Sequence, residues 1–191
     1  MIEIRIHGRG GQGNVVAAYL LAIAAFEEGR YAQAFPNFGA ERRGAPVTAF
    51  IRIADRPIRR RCQVSQPMFL IIQDEALLHV PGVLDGLHVD GGILVNSLQV
   101  SDDLTSQLGR DVVSLPASRL ATEMLGRPVP NTALLAAFLS LTHILPQQAL
   151  VKALADRFRG EVLERNTRLV TEAAGLVPAG LWELEESAAR A

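Results

Sequence analysis

The first third of the chain alternates between strand-like and helix-like patterns of hydrophobic residues. Apolar and polar residues alternate over residues 2–7, which predicts a strand. The apolar stretch over residues 15–26 predicts a helix. Gly29 is expected to end this helix because glycine readily adopts the left-handed conformation. Residues 31–35 predict a second strand, so the chain opens with a strand–helix–strand unit.

The next segment predicts an antiparallel hairpin. Apolar residues occupy every second position over residues 47–53, and residues 54–57 have the composition of a turn. Residues 58–64 predict the returning strand.

The rest of the chain predicts buried strands followed by helices. Short continuous apolar runs are typical of strands covered on both faces, and they occur at 69–73, 92–96 and 111–115. Helices are predicted at 75–79, 131–145, 147–158 and 161–175. The pattern therefore predicts an α/β fold, a three-layer α/β/α sandwich with a mainly parallel, mixed sheet, one antiparallel hairpin and C-terminal helices.

Length and charge narrow the possibilities further. A chain of 191 residues with 49% hydrophobic residues suits a single domain over 1–191, with a tail from about residue 178. The net charge of −1 provides no general attraction for nucleic acid. The single cysteine, Cys62, excludes a disulfide framework or an all-cysteine metal site within the chain.

Location is predicted from the absence of targeting signals. The chain begins with strand-like residues rather than a signal peptide. The most apolar helical segment, 133–145, is shorter than the roughly 20 residues that cross a bilayer. We therefore expect a cytoplasmic protein with no membrane contact.

A glycine-rich loop follows the first predicted strand. The segment Gly8-Arg9-Gly10-Gly11-Gln12-Gly13 has the G-x-G-x-x-G spacing that lets backbone N–H groups approach an anion at a helix N-terminus. NAD or FAD binding also requires an acidic residue at the end of the second strand, about 20 residues on. Residues 33–36 contain none.

Two other interpretations of this loop remain. A P-loop requires lysine followed by serine or threonine after the last glycine, but Asn14 and Val15 stand there. The second alternative is a tight strand-to-helix turn that packs against a neighbouring chain. The spacing alone therefore leaves open whether the loop touches a ligand or only an interface.

Arginines are concentrated in one segment of the chain. It contains Arg42, Arg43, Arg52, Arg56, Arg59, Arg60 and Arg61. Arg42 and Arg43 stand between Gly39 and Gly44, which predicts a fixed loop able to present two guanidinium forks to an anion or a partner. The others are interpreted as a solvated hairpin edge or a partner contact.

No complete catalytic set appears elsewhere. His7 is interpreted as a structural histidine, and Cys62 as a small buried hydrophobe. Asp74 and Glu75 follow a predicted strand, where they either face a crevice or serve as acids at a helix N-terminus. The remaining histidines lack metal-ligand spacing. We assign no catalytic residue and no metal site to this chain.

Two motifs together carry a family resemblance. The glycine loop, followed by Glu41-Arg42-Arg43-Gly44-Ala45-Pro46, resembles the gamma subunit, or gamma domain, of the 2-oxoacid:ferredoxin oxidoreductases. Residues 71–74 and 131–133 extend the resemblance over nearly the whole chain. Within this family, the chain resembles the subunits of the pyruvate and branched-chain ketoacid enzymes most.

The resemblance implies a reaction in which this chain is one subunit among several. Such enzymes oxidatively decarboxylate a 2-oxoacid with coenzyme A to an acyl-CoA and carbon dioxide, and pass the electrons to ferredoxin. The resemblance places thiamine diphosphate, Mg²⁺ and [4Fe–4S] clusters on partner subunits, namely the alpha, beta and ferredoxin-like delta subunits.

The resemblance also implies which residues of this chain lie at the shared site. The gamma module is expected to pack beside the catalytic core and to form its coenzyme A side. The residues expected at the coenzyme A side or at a subunit interface are Gly8, Gly10, Gly11, Gln12, Gly13, Arg42 and Arg43.

Several alternatives stay open at this point. Ala40 and Asn14 depart from the family pattern, which expects proline and an apolar residue there. A relative acting on an aryl 2-oxoacid such as phenylglyoxylate, or one passing electrons to NAD, is compatible with the same motifs. A stand-alone Rossmann nucleotide-binding protein and a purely structural assembly module are alternatives from other classes.

Overall fold

The computed structural model describes residues 1–37 and 45–184, which form a six-stranded mixed sheet. The strand order is β2-β3-β1-β4-β5-β6. Strands β1, β4, β5 and β6 run parallel, and β3 is antiparallel to both of its neighbours, β1 and β2. The strands are β1 (Ile2–Arg9), β2 (Tyr31–Asn37), β3 (Pro46–Ala54), β4 (Phe69–Ile72), β5 (Gly92–Asn96) and β6 (Val112–Leu115).

Helices cover the two faces of the sheet unequally. They are α1 (Asn14–Glu27), α2 (Ser101–Leu108), α3 (Ala117–Leu125), α4 (Asn131–Thr142), α5 (Gln147–Arg157), α6 (Gly160–Gly175) and a 3₁₀ helix (Glu75–His79). The main core lies between one face of the sheet and α1, α3, α4, α5 and α6. Helix α4 is buried at every residue and forms the centre of this layer. A smaller core joins the other face to the 3₁₀ helix and α2.

The α/β sandwich expected from the sequence is confirmed, with two additions. Helices α2 and α3 do not emerge from the hydrophobic pattern, because few of their residues face a core. Helix α2 buries only Leu104, and α3 buries Ala117, Leu120 and Ala121. Short helices with so sparse an apolar stripe give little periodic signal.

The prediction that residues 58–64 form the second strand of a hairpin with residues 47–53 is wrong. Strand β3 pairs with β2 on one side and with β1 on the other, through contacts such as Tyr31 with Ala54 and Ile2 with Ile53. Both edges of β3 are therefore occupied, and residues 58–64 form no strand. This segment instead contacts the second face of the sheet, where the carbonyl of Cys62 accepts a hydrogen bond from Arg52.

Arg52 belongs to the interior and not to the surface patch predicted from sequence. Its side chain is 1% exposed and lies between two strands and the coil. It donates to Glu3 Oε1 at 2.6 Å, to Gln33 Oε1 at 3.1 Å and to the Cys62 carbonyl at 2.8 Å. Cys62 itself is exposed, so its interpretation as a buried hydrophobe is wrong. Arg56 and the following Arg59–Arg61 triplet are exposed, as expected of a solvated segment.

The chain stays packed beyond the predicted start of the tail. Trp182 stacks on Phe69 with a centroid distance of 5.9 Å, and its indole N–H donates to Asp111 Oδ2 at 2.5 Å. Its backbone N–H donates to the Leu141 carbonyl at 2.8 Å. A Cβ on Gly92 would lie 2.4 Å from the Trp182 ring, so a side chain there would displace the indole. Of the tail predicted from about residue 178, residues 185–191 lie outside the described residues.

Across residues 1–37 and 45–184, every helix is too short or too polar to cross a lipid bilayer.

Candidate functional site

The sheet has a topological switch point between β1 and β4. After β1 the chain turns to α1 on the face of the main core, whereas after β4 it turns to the 3₁₀ helix on the opposite face. The loops that leave these two parallel strands therefore diverge and open a crevice at the carboxyl edge of the sheet. Ligands of open α/β folds bind at such a crevice. The glycine loop occupies this position.

Gly13 ends the glycine loop and begins α1. It adopts a left-handed conformation with φ of 82°, which strongly favours glycine. Helix α1 has no side-chain cap at its N-terminus and no acidic residue in its first turn. The first-turn N–H groups are consequently available to an anion or to a carbonyl group of a partner.

Gly8 allows α1 to pack against the sheet at close range. A Cβ at Gly8 would lie 2.3 Å from Asn14 Oδ1, which is well inside van der Waals contact. The buried Asn14 side chain also donates from Nδ2 to the Val47 carbonyl on β3 at 2.8 Å. The asparagine that departs from the family pattern thus joins the start of α1 to the antiparallel strand.

Arg9, Gln12 and Asp74 form a polar cluster, the loop clasp, that joins the ends of β1 and β4. Arg9 Nε lies 2.7 Å from Asp74 Oδ2, and Gln12 Oε1 accepts from the Arg9 backbone N–H at 2.7 Å. Asp74 Oδ1 also accepts from the backbone N–H of Ala76 at 3.0 Å and caps the 3₁₀ helix. Both predicted roles for Asp74 therefore apply, because it faces the crevice and also caps a helix.

The sequence did not single out two polar residues at the carboxyl edge of the sheet as candidate site residues. Asn96, at the end of β5, donates to the Gln73 carbonyl at 3.0 Å and accepts from the Ser118 backbone N–H at 3.0 Å. Gln73 is fully buried, and its side-chain amide has no hydrogen-bond partner among the described residues. The signal that identifies both is a polar side chain at the end of a buried parallel strand.

His7 lies at the same end of β1 and is almost fully buried. Its Nδ1 is 3.4 Å from the Thr48 hydroxyl, and its Nε2 has no partner among the described residues. Burial, together with the nearby positive charge of Arg5, lowers the pKa of His7 to about 4. The imidazole is therefore neutral at physiological pH, in agreement with a structural histidine.

The buried His7 predicts a specific pH dependence of stability. Its pKa is about 4 in the folded protein and near 6.5 in the unfolded chain, so the unfolded state binds more protons between these values. We expect the free energy of unfolding to fall by about 3 kcal/mol between about pH 7 and about pH 4 through this group alone. Urea unfolding of the wild type and of His7→Gln across this range measures the difference between them.

Substitution at an exposed histidine provides the control for this experiment. His79→Gln is expected to keep the wild-type pH dependence, because His79 lies on the surface of the 3₁₀ helix. If the free energy of unfolding depends on pH in the same way in the wild type and in His7→Gln, the pKa of His7 is not lowered by folding.

The arginine pair Arg42 and Arg43 lies outside the described residues. The described residues on either side end at Asn37 on β2 and resume at Ala45 before β3. The Ala45 carbonyl accepts from the Gly10 backbone N–H at 3.3 Å. The segment that contains the arginine motif therefore rejoins the described chain directly against the glycine loop.

The strand order does not provide the usual geometry for a dinucleotide. In the common dinucleotide-binding order, the second strand lies beside the first, so that its terminal acidic residue reaches the ribose. Here β3 separates β1 from β2 and runs antiparallel to both. The end of β2 therefore lies one strand too far from the loop, in addition to lacking the acid.

The described residues include no group of three or more His, Cys, Asp or Glu side chains able to hold a metal ion. The single cysteine also cannot provide the four thiolates of an iron–sulfur cluster.

Comparison with known proteins identifies the relatives of this chain. Residues 3–176 match the family model described as pyruvate ferredoxin/flavodoxin oxidoreductase. Pyruvate synthase subunit PorC of Methanocaldococcus jannaschii is 48% identical over 168 residues, which cover 88% of this chain and 92% of the relative. The pyruvate/ketoisovalerate oxidoreductases common subunit gamma of Pyrococcus abyssi is 46% identical over 176 residues, covering 91% of this chain and 95% of the relative.

A solved structure agrees with these similarities. The crystal structure of pyruvate oxidoreductase subunit PORC from Thermotoga maritima superposes with a TM-score of 0.82 at 37% identity, covering 91% of this chain and 95% of the other. The similarity therefore extends over sequence and fold together, and over nearly the whole length of both chains. The chain belongs to the pyruvate ferredoxin/flavodoxin oxidoreductase family, and its relatives over this length include proteins named subunit PorC and common subunit gamma.

Proposed function

We propose that this chain is the gamma subunit of a multi-subunit enzyme that oxidatively decarboxylates a 2-oxoacid, pyruvate or a similar acid, with coenzyme A. The products are an acyl-CoA and carbon dioxide, and the electrons go to ferredoxin. The observation that supports the proposal most is the similarity to gamma subunits over nine-tenths of the chain. The cytoplasm is the proposed location, and residues 1–191 are the proposed extent of a single gamma-type domain.

Within such a complex the chain is proposed to contribute the backbone conformation of its glycine loop and backbone N–H donors, and no catalytic side chain. Gly8, Gly10, Gly11, Gln12 and Gly13 build a turn whose conformation the loop clasp fixes from the β4 side. The uncapped first turn of α1 offers N–H donors at the crevice. With Arg42 and Arg43, these groups are proposed to form the coenzyme A side of a site shared with partner subunits, or the interface beside it.

The partners provide the remaining chemistry in this proposal. Thiamine diphosphate and Mg²⁺ are assigned to the alpha and beta subunits, and [4Fe–4S] clusters to these subunits and a ferredoxin-like delta subunit. Thiamine diphosphate stabilises the carbanion formed on decarboxylation, and the clusters carry the electrons. An aryl 2-oxoacid such as phenylglyoxylate as substrate, or NAD as acceptor through another subunit, is the alternative within the same family.

Co-purification from the native host tests the proposal. An affinity tag on this chain is expected to recover the alpha, beta and delta subunits, and the recovered complex is expected to oxidise one or more of pyruvate, 2-oxoisovalerate and phenylglyoxylate. The ratio of rates among these acids assigns the substrate. Recovery of the tagged chain alone, under conditions that preserve enzyme activity in the lysate, would contradict membership in such a complex.

The arginine motif makes a separate prediction. We expect Arg42→Ala or Arg43→Ala in the assembled complex to raise the KM for coenzyme A by at least about tenfold, or to weaken assembly. The reason is that a guanidinium fork contributes about 1.5–3 kcal/mol to a charged contact. Initial rates at varied coenzyme A, with size-exclusion chromatography of each variant, measure both effects.

An exposed arginine outside the motif provides the control for this pair. Arg168→Ala on α6 is expected to leave the kinetics unchanged. Wild-type coenzyme A kinetics together with intact assembly in both motif variants would show that the pair has neither role.

A further inference from the structure

A cavity of about 600 Å³ lies on the face of the sheet that the main core covers. It is bounded by α1, the segment between α3 and α4, the end of α5 and the first two turns of α6. Its volume falls in the range of about 300–1,000 Å³ that is typical of small-molecule sites. None of its lining residues belongs to the arginine motif, and it touches the glycine loop only at Gly13.

One part of the cavity wall is apolar. Val16 and Leu20 come from α1, Leu125 and Val129 flank the segment before α4, and Phe158 ends α5. Val162 on α6 adds to this apolar surface and is 52% exposed in the free chain. An apolar group of a ligand is therefore able to displace water from several side chains at once.

One buried side chain presents an unused donor to this cavity. Asn131, at the start of α4, is only 9% exposed, and its Oδ1 accepts from the Thr132 backbone N–H at 2.8 Å. Its Nδ2 lies 2.8 Å from the position that a Cβ on Gly13 would take, and both residues line the cavity. Among the described residues, no protein acceptor takes a hydrogen bond from this nitrogen. The nitrogen is not fully enclosed by protein, so an acceptor that enters the cavity can take its hydrogen bond.

The other polar residues of the wall are already engaged with each other. Thr132 donates to Asn166 Oδ1 at 3.3 Å, and Asn166 Nδ2 donates to the Val162 carbonyl at 2.8 Å. The side chains of Thr132 and Asn166 are therefore held in place by hydrogen bonds. Among the described residues, the Asn131 amide nitrogen is the side-chain donor of this wall that lacks a protein acceptor.

The rim of the cavity is positively charged. It carries Arg127, Arg157 and Arg165 against a single carboxylate, Glu161, which is already paired with Arg165. The side chains of Arg127 and Arg157 make no ion pair or hydrogen bond within the described residues. The N-terminus of the 16-residue helix α6 adds backbone N–H groups with no side-chain cap. Among the described residues, the lining side chains with an unused hydrogen-bonding group are thus one amide donor and two guanidinium cations.

We propose that this cavity binds a small amphipathic anion, a carboxylate or phosphate monoester carried on an apolar body. The apolar part lies against the wall of α1 and Phe158, and the acid group accepts from the Asn131 amide and from the guanidinium forks of Arg127 and Arg157. Gly13 keeps the Asn131 amide accessible, because any side chain there would meet it. The inference stands apart from the proposed function, since it concerns binding to the chain without partner subunits.

Titration of the full chain with octyl phosphate tests the proposal. We expect binding in the range of about 1 mM or tighter by isothermal titration calorimetry, with a shift of the Asn131 side-chain amide signal in ¹⁵N-correlated NMR spectra. Octanol, which has no charge, and inorganic phosphate, which has no apolar part, are expected to bind at least about tenfold more weakly. Octanoate separates a carboxylate preference from a phosphate preference, and binding of either supports the proposal.

Variants of the rim identify the binding site. The double variant Arg127→Ala/Arg157→Ala is expected to weaken octyl phosphate binding at least about tenfold, because each charged contact is lost, whereas Arg168→Ala on the same helix layer is expected to bind like the wild type. Both arginines are exposed, so circular dichroism of the variants is expected to match the wild type. Absence of binding of both octyl phosphate and octanoate, equal binding of octanol, or wild-type affinity in the double variant would each overturn the proposal.

Discussion

Replacing Arg52 with alanine is expected to lower the free energy of unfolding by about 3–5 kcal/mol. The Arg52 guanidinium is 1% exposed and contacts Glu3 on β1, Gln33 on β2 and the Cys62 carbonyl of the overlying coil. Its removal leaves the Glu3 carboxylate, which is only 15% exposed, without its cation. Two further, partly buried acceptors, Gln33 Oε1 and the Cys62 carbonyl, lose their donor at the same time.

Urea unfolding of Arg52→Ala measures this effect, and a surface ion pair provides the matched control. Arg119 and Glu123 form a pair on α3 in which both side chains are more than 60% exposed. Arg119→Ala is expected to change stability by less than about 0.5 kcal/mol, because exposed ion pairs are screened by water. Equal effects of the two substitutions would show that the Arg52 cluster does not join the antiparallel strands to the rest of the sheet.

Replacing Phe138 with alanine is expected to lower the free energy of unfolding by about 3–5 kcal/mol as well. Phe138 is fully buried at the centre of α4 and meets Phe69 of β4 edge to face, with a centroid distance of 5.4 Å. Phe69 in turn stacks on Trp182. The truncation therefore opens a cavity between the central strand, the buried helix and the C-terminal segment.

Phe26 provides the control for this core substitution. It stands near the end of α1 and is 75% exposed, so Phe26→Ala is expected to change stability by less than about 0.5 kcal/mol. Thermal or urea unfolding of both variants gives the comparison. A loss of less than about 1 kcal/mol in Phe138→Ala would mean that the core relaxes around α4 instead of depending on its packing.

The strands and helices with strong hydrophobic patterns were predictable from sequence alone. Strand β5 begins and ends at the predicted residues, and α4 begins at the predicted Asn131, because their apolar runs are bounded by clear turn residues. The partner of β3 was not predictable, since alternation identifies a strand without saying which edges it offers. Its pairing with both β1 and β2 depends on long-range packing.

The candidate site was predictable only in part, for a related reason. The glycine loop and Asp74 were apparent, because glycine spacing and an acid after a strand are local signals. The loop clasp, the Asn96 contacts and the burial of Arg52 depend on which strands become neighbours. The cavity donor Asn131 was likewise hidden, since its free amide appears only where α1 and α4 meet.

The measurement that tests the central claim most directly is the rate of coenzyme A-dependent 2-oxoacid oxidation with and without this chain. The isolated chain, the partner subunits alone and the reassembled complex are compared, with reduction of ferredoxin or a viologen dye as the readout. We expect no turnover and no thiamine diphosphate binding by the isolated chain, greatly reduced turnover by the partners alone, and full activity after addition. Turnover by the isolated chain, or an undiminished rate without it, would contradict the account.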